Sequence, residues 1–189
     1  MDKYLVKISN LKKINVIDLD NTLIPYDSFK KYLIMFLLSK NYTIKILYLI
    51  ILKFFRMINK NEFKERVYSI TVSGKDYSSR MKDFSKMLNS SINPVILSDV
   101  KKHTDKNTIN ILVTASYEAY AKYVAGFLSW DCIASNIVKG RFIHSYGIEK
   151  FRLISERYPK EKYQYNYCIS DSTSDLEMMS KFKKSCLFK

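Results

Sequence analysis

Several residue types are scarce in this sequence. Its 189 residues include three cysteines, two histidines, one tryptophan, four glycines and three prolines. Cys132, Cys168 and Cys186 have an odd count and no CxxC spacing, and each lies in or beside an apolar run. That argues against a disulfide scaffold or a thiolate metal site, and for reduced core thiols in a cytoplasmic protein. His103 and His144 stand in no catalytic pattern and read as surface or core positions. Long hydrophobic runs are also missing. The apolar stretch Ile44–Ile58 is broken by Lys45, Lys53 and Arg56, so its longest run is Ile46–Leu52, far short of the about 18–20 residues a spanning helix needs. Met1–Lys13 is charged and has no signal-peptide core, so the expectation is a chain that is not secreted. No repeat, low-complexity tract, basic arm or interleaved basic–aromatic motif is present, which counts against a nucleic-acid partner. Acidic residues are few as well: Lys+Arg 32 against Asp+Glu 18 leaves a formal charge of +14. That balance favours anionic partners such as phosphorylated metabolites or an acidic membrane surface.

What is present reads as globular, with 47% hydrophobic and 26% charged residues and enough chain for one sizeable core. Ile14–Leu19 reads as a buried strand. From Ser28 to about Phe84 the pattern is helical, with Ser28 and Thr43 as expected N-caps and Phe29, Tyr32, Leu33 and Phe36 on one stripe. Asn61–Ile70 and Lys75–Leu88 read as helices parted by Gly74. Beyond Ser91 the pattern alternates. Pro94 opens a helix to about His103, Ile109–Val113 is a strand, and Tyr117–Leu128 is a helix. Cys132–Ala134 and Ile137–Ile143 are short strands, and Ile148–Arg157 is a helix stopped by Pro159. Tyr165–Ile169 is a strand, Ser174–Phe182 a helix and Cys186–Phe188 a last short strand. Alternation of this kind predicts an α/β fold, a Rossmann-like, mainly parallel sheet with helices on both faces. The helical block reads as a cap inserted after the first strand, giving a core of residues 1–25 and 85–189 and a cap of 26–84.

Three strand ends carry polar clusters where α/β sheets bind ligands. The first is Asp18-Leu19-Asp20-Asn21-Thr22. Period-two alternation starts Asp18, Asp20 and Thr22 toward one side, and close carboxylates call for a cation or a retained proton. The second is Thr114-Ala115-Ser116. The third is Ser170-Asp171-Ser172-Thr173-Ser174-Asp175. Each has a plainer reading: an Asp/Asn turn, a helix-capping turn, and a capping box from Ser172 to Asp175. Lys150 alone would be a solvated helix lysine.

In that order the clusters resemble the haloacid dehalogenase-like (HAD) phosphohydrolases, and within them the phosphoserine-phosphatase-like group with a helical, C1-type cap. Asp18–Thr22 is similar to the DxDx[TS] motif, and Thr114 to the second motif. Lys150 fits the third, with Lys139 as the alternative, and Ser170–Asp175 is similar to the fourth, with Ser170 in place of the usual glycine. The resemblance implies that Asp18 attacks phosphorus and that Asp20 protonates the leaving alcohol and then activates water. It further implies that Asp18, the Asp20 carbonyl and Asp171 hold Mg²⁺, that Thr114 and Lys150 bind phosphoryl oxygens, and that Thr22, Ser116 and Asp175 give support. Dehalogenases of the family lack the second aspartate, so Asp20 favours phosphate esters.

Specificity is expected from the cap. Asp27 stands where phosphoserine phosphatases place a glutamate, and either meets a substrate amine or caps the helix that follows. Arg56 and Arg66 are candidates for a substrate anion. The apolar, basic cap (Tyr48, Leu49, Ile50, Phe54 and Phe55 beside Lys45, Lys53 and Arg56) also resembles the family's phosphatidylglycerophosphate phosphatases. The expected activity is therefore Mg²⁺-dependent hydrolysis of a small or amphiphilic phosphate ester. The alternatives are a lipid phosphatase peripheral at the inner membrane surface, and a non-catalytic nucleic-acid-binding or scaffold protein on the same fold.

Overall fold

The computed structural model describes residues 11–188. Most of Met1–Lys13, read above for a signal core, lies outside the described residues. Six strands form one sheet: β1 (Lys12–Ile17), β2 (Thr108–Tyr117), β3 (Asp131–Val138), β4 (Arg141–Ile143), β5 (Tyr163–Ser170) and β6 (Lys184–Leu187). Their order is β4-β3-β2-β1-β5-β6. All neighbours are parallel except the hairpin β3–β4. This is the mainly parallel α/β sheet that the alternating pattern predicts.

β1 lies in the middle because it can be buried on both faces, as strands of parallel sheets are. Ile14 and Val16 pack with Ile111, Val113, Ile154 and Met178 on one side. Ile17 packs with Leu112, Ala134 and Ile169 on the other. The first side is covered by α7 (Ile148–Arg157) and the one-turn α8 (Leu176–Met179). The second is covered by α5 (Pro94–Lys102) and α6 (Glu118–Phe127).

Between β1 and α5 run four helices, α1 (Ser28–Leu37), α2 (Thr43–Phe54), α3 (Lys60–Val72) and α4 (Tyr77–Asn89). They gather around Tyr32, which is fully buried and whose hydroxyl pairs with that of Thr71 at 2.5 Å. Phe36, Phe84, Tyr117 and Tyr120 surround its ring. Tyr117 and Tyr120 belong to the β2–α6 junction, so these helices share one core with that face of the sheet. The boundary read at 84/85 falls within α4, whose Met81, Phe84 and Leu88 all enter this core.

Three local expectations are corrected. Asp27, not Ser28, caps α1: its carboxylate accepts from the Lys30 amide at 3.0 Å. Tyr42 holds the N-cap position of α2, and Thr43 instead turns its hydroxyl back to the Leu37 and Ser39 carbonyls. The helix expected over Ser174–Phe182 is a 3₁₀ turn at Thr173–Asp175 followed by α8. Its first turn is tightened because Asp175 is drawn inward to a lysine, as described next.

Candidate active site

The β1 pairing ends at Ile17. Beyond it Leu19, Leu23 and Ile24 are fully buried, and the Leu23 and Ile24 amides donate back to the Asp18 and Leu19 carbonyls. Asn21 takes a positive φ of 52°, a conformation that Asn tolerates better than most residues. The polar side chains of this loop take separate partners, Asp18 on α7, Asp20 on α1 and Thr22 on the β5 loop.

Asp18 turns toward α7. Lys150 Nζ donates to its Oδ1 at 2.6 Å and to Asp175 Oδ2 at 2.7 Å. All three residues are buried. Ser170 Oγ also donates to Asp175 Oδ2, at 2.7 Å. The serine that stands in place of the family's glycine thus helps hold the lysine's second anchor. Ser172 caps the 3₁₀ turn through the Ser174 amide at 3.3 Å, while the Asp175 carboxylate faces Lys150, so the capping-box reading of Asp175 is replaced. Lys139, the alternative, forms with Gly140 the positive-φ turn of the β3–β4 hairpin and does not line the cleft over the β1 loop.

Asp20 turns the other way, toward α1. Its carboxylate accepts from the Ser28 amide at 2.7 Å and from Ser116 Oγ at 2.6 Å. Behind Ser116 a chain of hydroxyls continues through Ser28 Oγ at 2.8 Å to Tyr120 at 3.1 Å. Thr22 Oγ1 accepts from the Asp171 amide at 2.9 Å, tying the β1 loop to the β5 loop. Thr114 is fully buried and its hydroxyl accepts from the Ser116 amide at 3.0 Å. That is the turn-capping role, in which the hydroxyl keeps its own proton.

A cleft of about 220 Å³ opens over this loop, lined by Asp18, Asp20, Asp27, Lys150, Asp171 and Ser172, among others. The third-cluster carboxylate and both motif aspartates thus meet in one space. Asp27 lines it while also capping α1. Arg56 is exposed at the α2–α3 turn, and Arg66 lines a groove between α2 and α3. Neither lines the cleft.

Two lysines that the sequence reading passed over do line it. Lys60 and Lys64 project from α3. Lys64 is buried, donates to the Ala115 carbonyl at 2.8 Å and lies 4.8 Å over the Phe29 ring. Its Nζ is 3.3 Å from His144 Nε2, and His144 Nδ1 is 2.6 Å from Asn61 Oδ1. A signal existed: Lys60, Lys64, Val67 and Thr71 share the i, i+4, i+7, i+11 face of α3, so two lysines occupy an otherwise inward stripe.

Burial shifts the protonation of this site. It pushes the Asp18 carboxyl up to about 7, Asp20 and Asp175 adding to the rise and Lys150 pulling against it. Burial also raises Asp20, opposed by its bonds from Ser116 and Ser28. Burial opposes the Lys150 charge, but Asp18 and Asp175 outweigh it and raise its pKa, so the lysine stays charged. Burial and Lys60 bring Lys64 down to about 8, and burial with Lys64 brings His144 down to about 4. His144 is thus neutral near pH 7, able to accept from Lys64.

The sequence profile of the haloacid dehalogenase-like hydrolases matches residues 16–180. The chain belongs to this family. Solved structures with the same fold include a Bordetella pertussis Tohama I protein of unknown function (TM-score 0.68, 13% identity, covering 95% of this chain and 100% of that one). A HAD family hydrolase from Salmonella enterica serovar Typhi has a TM-score of 0.58 at 11% identity, covering 95% and 68%. A phosphoserine phosphohydrolase-like protein from Francisella tularensis has a TM-score of 0.51 at 15% identity, covering 94% and 95%. No curated protein matches the chain. The matched range takes in Asp18–Thr22, Thr114, Lys150 and Ser170–Asp175.

Proposed function

We propose that this HAD hydrolase is a Mg²⁺-dependent phosphomonoesterase that works through an aspartyl-phosphate on Asp18, with residues 26–84 as its specificity cap. One observation carries the reading: Asp18, fixed by a buried lysine on one oxygen, opens onto a cleft whose other walls supply both carboxylates and lysines. Phosphoryl transfer asks mainly for positioning and charge neutralisation, and this cleft has the groups for both.

With Lys150 on Oδ1, the Asp18 Oδ2 is the attacking atom. It bonds to phosphorus as the ester P–O bond breaks, and protonated Asp20 gives its proton to the departing alcohol oxygen. In the second half Asp20 takes a proton from water, whose oxygen attacks phosphorus and returns Asp18 as a carboxylate with inorganic phosphate. The raised pKa of Asp20 suits the first role, and its bonds from Ser116 and Ser28 fix it in place. Lys150 neutralises Asp18 and meets a phosphoryl oxygen, whereas Thr114 is fully buried beneath the cleft wall and supports it through the Ser116 amide.

The donor set fits a hard cation. Asp18 and Asp171 are oxygen donors at one cleft, to which the Asp20 carbonyl would add a third, and four carboxylates (Asp18, Asp20, Asp27 and Asp171) line it against three lysines. Among the described residues no group of three or more His, Cys, Asp or Glu forms a ready metal cage. Two carboxylates and a carbonyl leave the other positions to water and phosphate, as Mg²⁺ prefers. When bound, the ion would screen the charge between Asp18 and the phosphate.

Lys60 and Lys64 favour a substrate whose phosphate or second anionic group faces α3. The test is phosphate release from p-nitrophenyl phosphate, phosphoserine, sugar phosphates and phosphatidylglycerophosphate, with and without Mg²⁺. Turnover that needs Mg²⁺ and disappears in Asp18→Asn is the expected result. No turnover on any ester by a folded wild type would overturn the reading.

A further inference from the structure

We propose that the outer face of α2, with the turns at its two ends, docks the protein on an anionic lipid bilayer. α2 is apolar on two sides. Ile46, Leu49 and Leu52 point into the core. Ile44, Leu47, Tyr48 and Ile51 repeat at i, i+3, i+4 and i+7 on the other side, and all are exposed. Leu38 before the helix is 82% exposed, Ile44 81%, and Phe54 at its end 79%. Scattered exposed leucines need no explanation, but a continuous apolar stripe with aromatic residues at its end marks an interaction surface.

The charge around this stripe selects the occupant. From Ser28 to Asn59 there is no acidic residue, while Lys30, Lys31, Lys40, Lys45, Lys53 and Arg56 fall within it; on the α3 flank Glu62 and Glu65 share a groove with Lys45, Tyr48 and Arg66. Lys40 and Arg56 lie exposed at the two ends of the stripe, and Lys45 on the helix itself. A second copy of the chain would bring this positive surface against itself, which like charges oppose. A bilayer rich in anionic lipid meets both demands, with a phosphate layer for the basic rim and an acyl boundary for the apolar stripe. No helix of the described residues is long and apolar enough to cross a membrane, and a 12-residue α2 has the geometry to lie along one. Resting on the hydrolytic reading above, docking would bring the cleft to phosphate esters carried by lipids.

The test is co-sedimentation of the full chain with phosphatidylglycerol–phosphatidylcholine vesicles and with phosphatidylcholine vesicles, at low and high salt. Wild type is compared with Ile44→Ser/Phe54→Ser/Phe55→Ser and with Asp18→Asn. All three replaced residues of the triple variant are exposed, and circular dichroism checks that it folds. Expected are binding to the anionic vesicles alone, its loss at high salt, at least a tenfold fall in the triple variant, and unchanged binding by Asp18→Asn. Turnover of p-nitrophenyl phosphate by the triple variant should match wild type while hydrolysis of vesicle-borne phosphatidylglycerophosphate falls. Absence of vesicle binding, or equal binding by the folded triple variant, would overturn the proposal. So would a wild-type dimer by light scattering that the triple variant dissolves. If vesicles bind but no ester is turned over, the docking surface stands and only the hydrolytic reading fails.

Discussion

Asp20 shows how a single residue's surroundings assign its work. Its carboxylate is half-buried, accepts two hydrogen bonds and has a raised pKa, as the acid role proposed for it asks. Asp20→Asn should therefore slow alkyl phosphate esters by about 10²–10⁴-fold, the usual worth of general acid catalysis. p-Nitrophenyl phosphate, whose leaving group departs without a proton, should lose much less in its first step. Equal losses on both substrates in single-turnover measurements would remove Asp20 from the acid role. Lys150 makes the complementary case, because it holds two buried carboxylates at once. Lys150→Met should abolish turnover and also cost about 3–5 kcal/mol of stability by urea denaturation, since buried charges lose their partner.

At the scale of elements, the position of Lys150 depends on how α7 begins. Gly147 precedes the helix at φ 57°, ψ −132°, a region that only glycine occupies without strain. A Cβ there would meet nothing closer than the Ser174 carbonyl at 3.9 Å, so the obstacle is the backbone and not space. Gly147→Ala should cost about 1–3 kcal/mol in thermal or urea unfolding. It should also lower kcat through displacement of Lys150; an unchanged kcat would mean that α7 re-enters at the same angle. α3 depends on a different device, the capping box in which Asn59 accepts from the Glu62 amide and Glu62 returns to the Asn59 amide. Asn59→Ala should cost about 1 kcal/mol and loosen the helix that carries Lys60 and Lys64.

At the scale of the molecule, the site makes folding depend on pH and on cations. Asp18 rises from an ordinary value of 3.8 to about 7 on folding. Between those values the folded chain holds more proton than the unfolded one, so stability without metal should fall as pH rises from about 4 to about 7, then level off. A cation that prefers ionised Asp18 reverses the sign. Mg²⁺ should thus raise the melting temperature more at about pH 8 than at about pH 5, measured by scanning calorimetry. An equal rise at both would separate the metal from Asp18.

Much of this was written in local pattern. Asp18, Asp20 and Thr22 follow an apolar run, and Asp171 and Asp175 follow another, so the strand ends and their polar clusters are visible in the chain. The alternation beyond Ser91 gives the parallel sheet, because side-chain periodicity is a property of neighbouring residues. The helix Ile148–Arg157 is bounded in the sequence as it is in the fold. Other features depend on residues far apart. Lys150 and Lys139 are equally good lysines until the β3–β4 hairpin turns one away and α7 brings the other to Asp18, 132 positions earlier. Lys64 reaches the cleft only because α3 packs beside the β2 turn, where it meets the Ala115 carbonyl. The outward stripe of α2 is apolar like its inward one, and only the packing of its neighbours decides which is covered. Local sequence thus determined the elements and the chemistry at their ends. Which carboxylate meets which lysine, and which apolar face stays open, was decided by long-range packing, which no periodicity within one segment encodes.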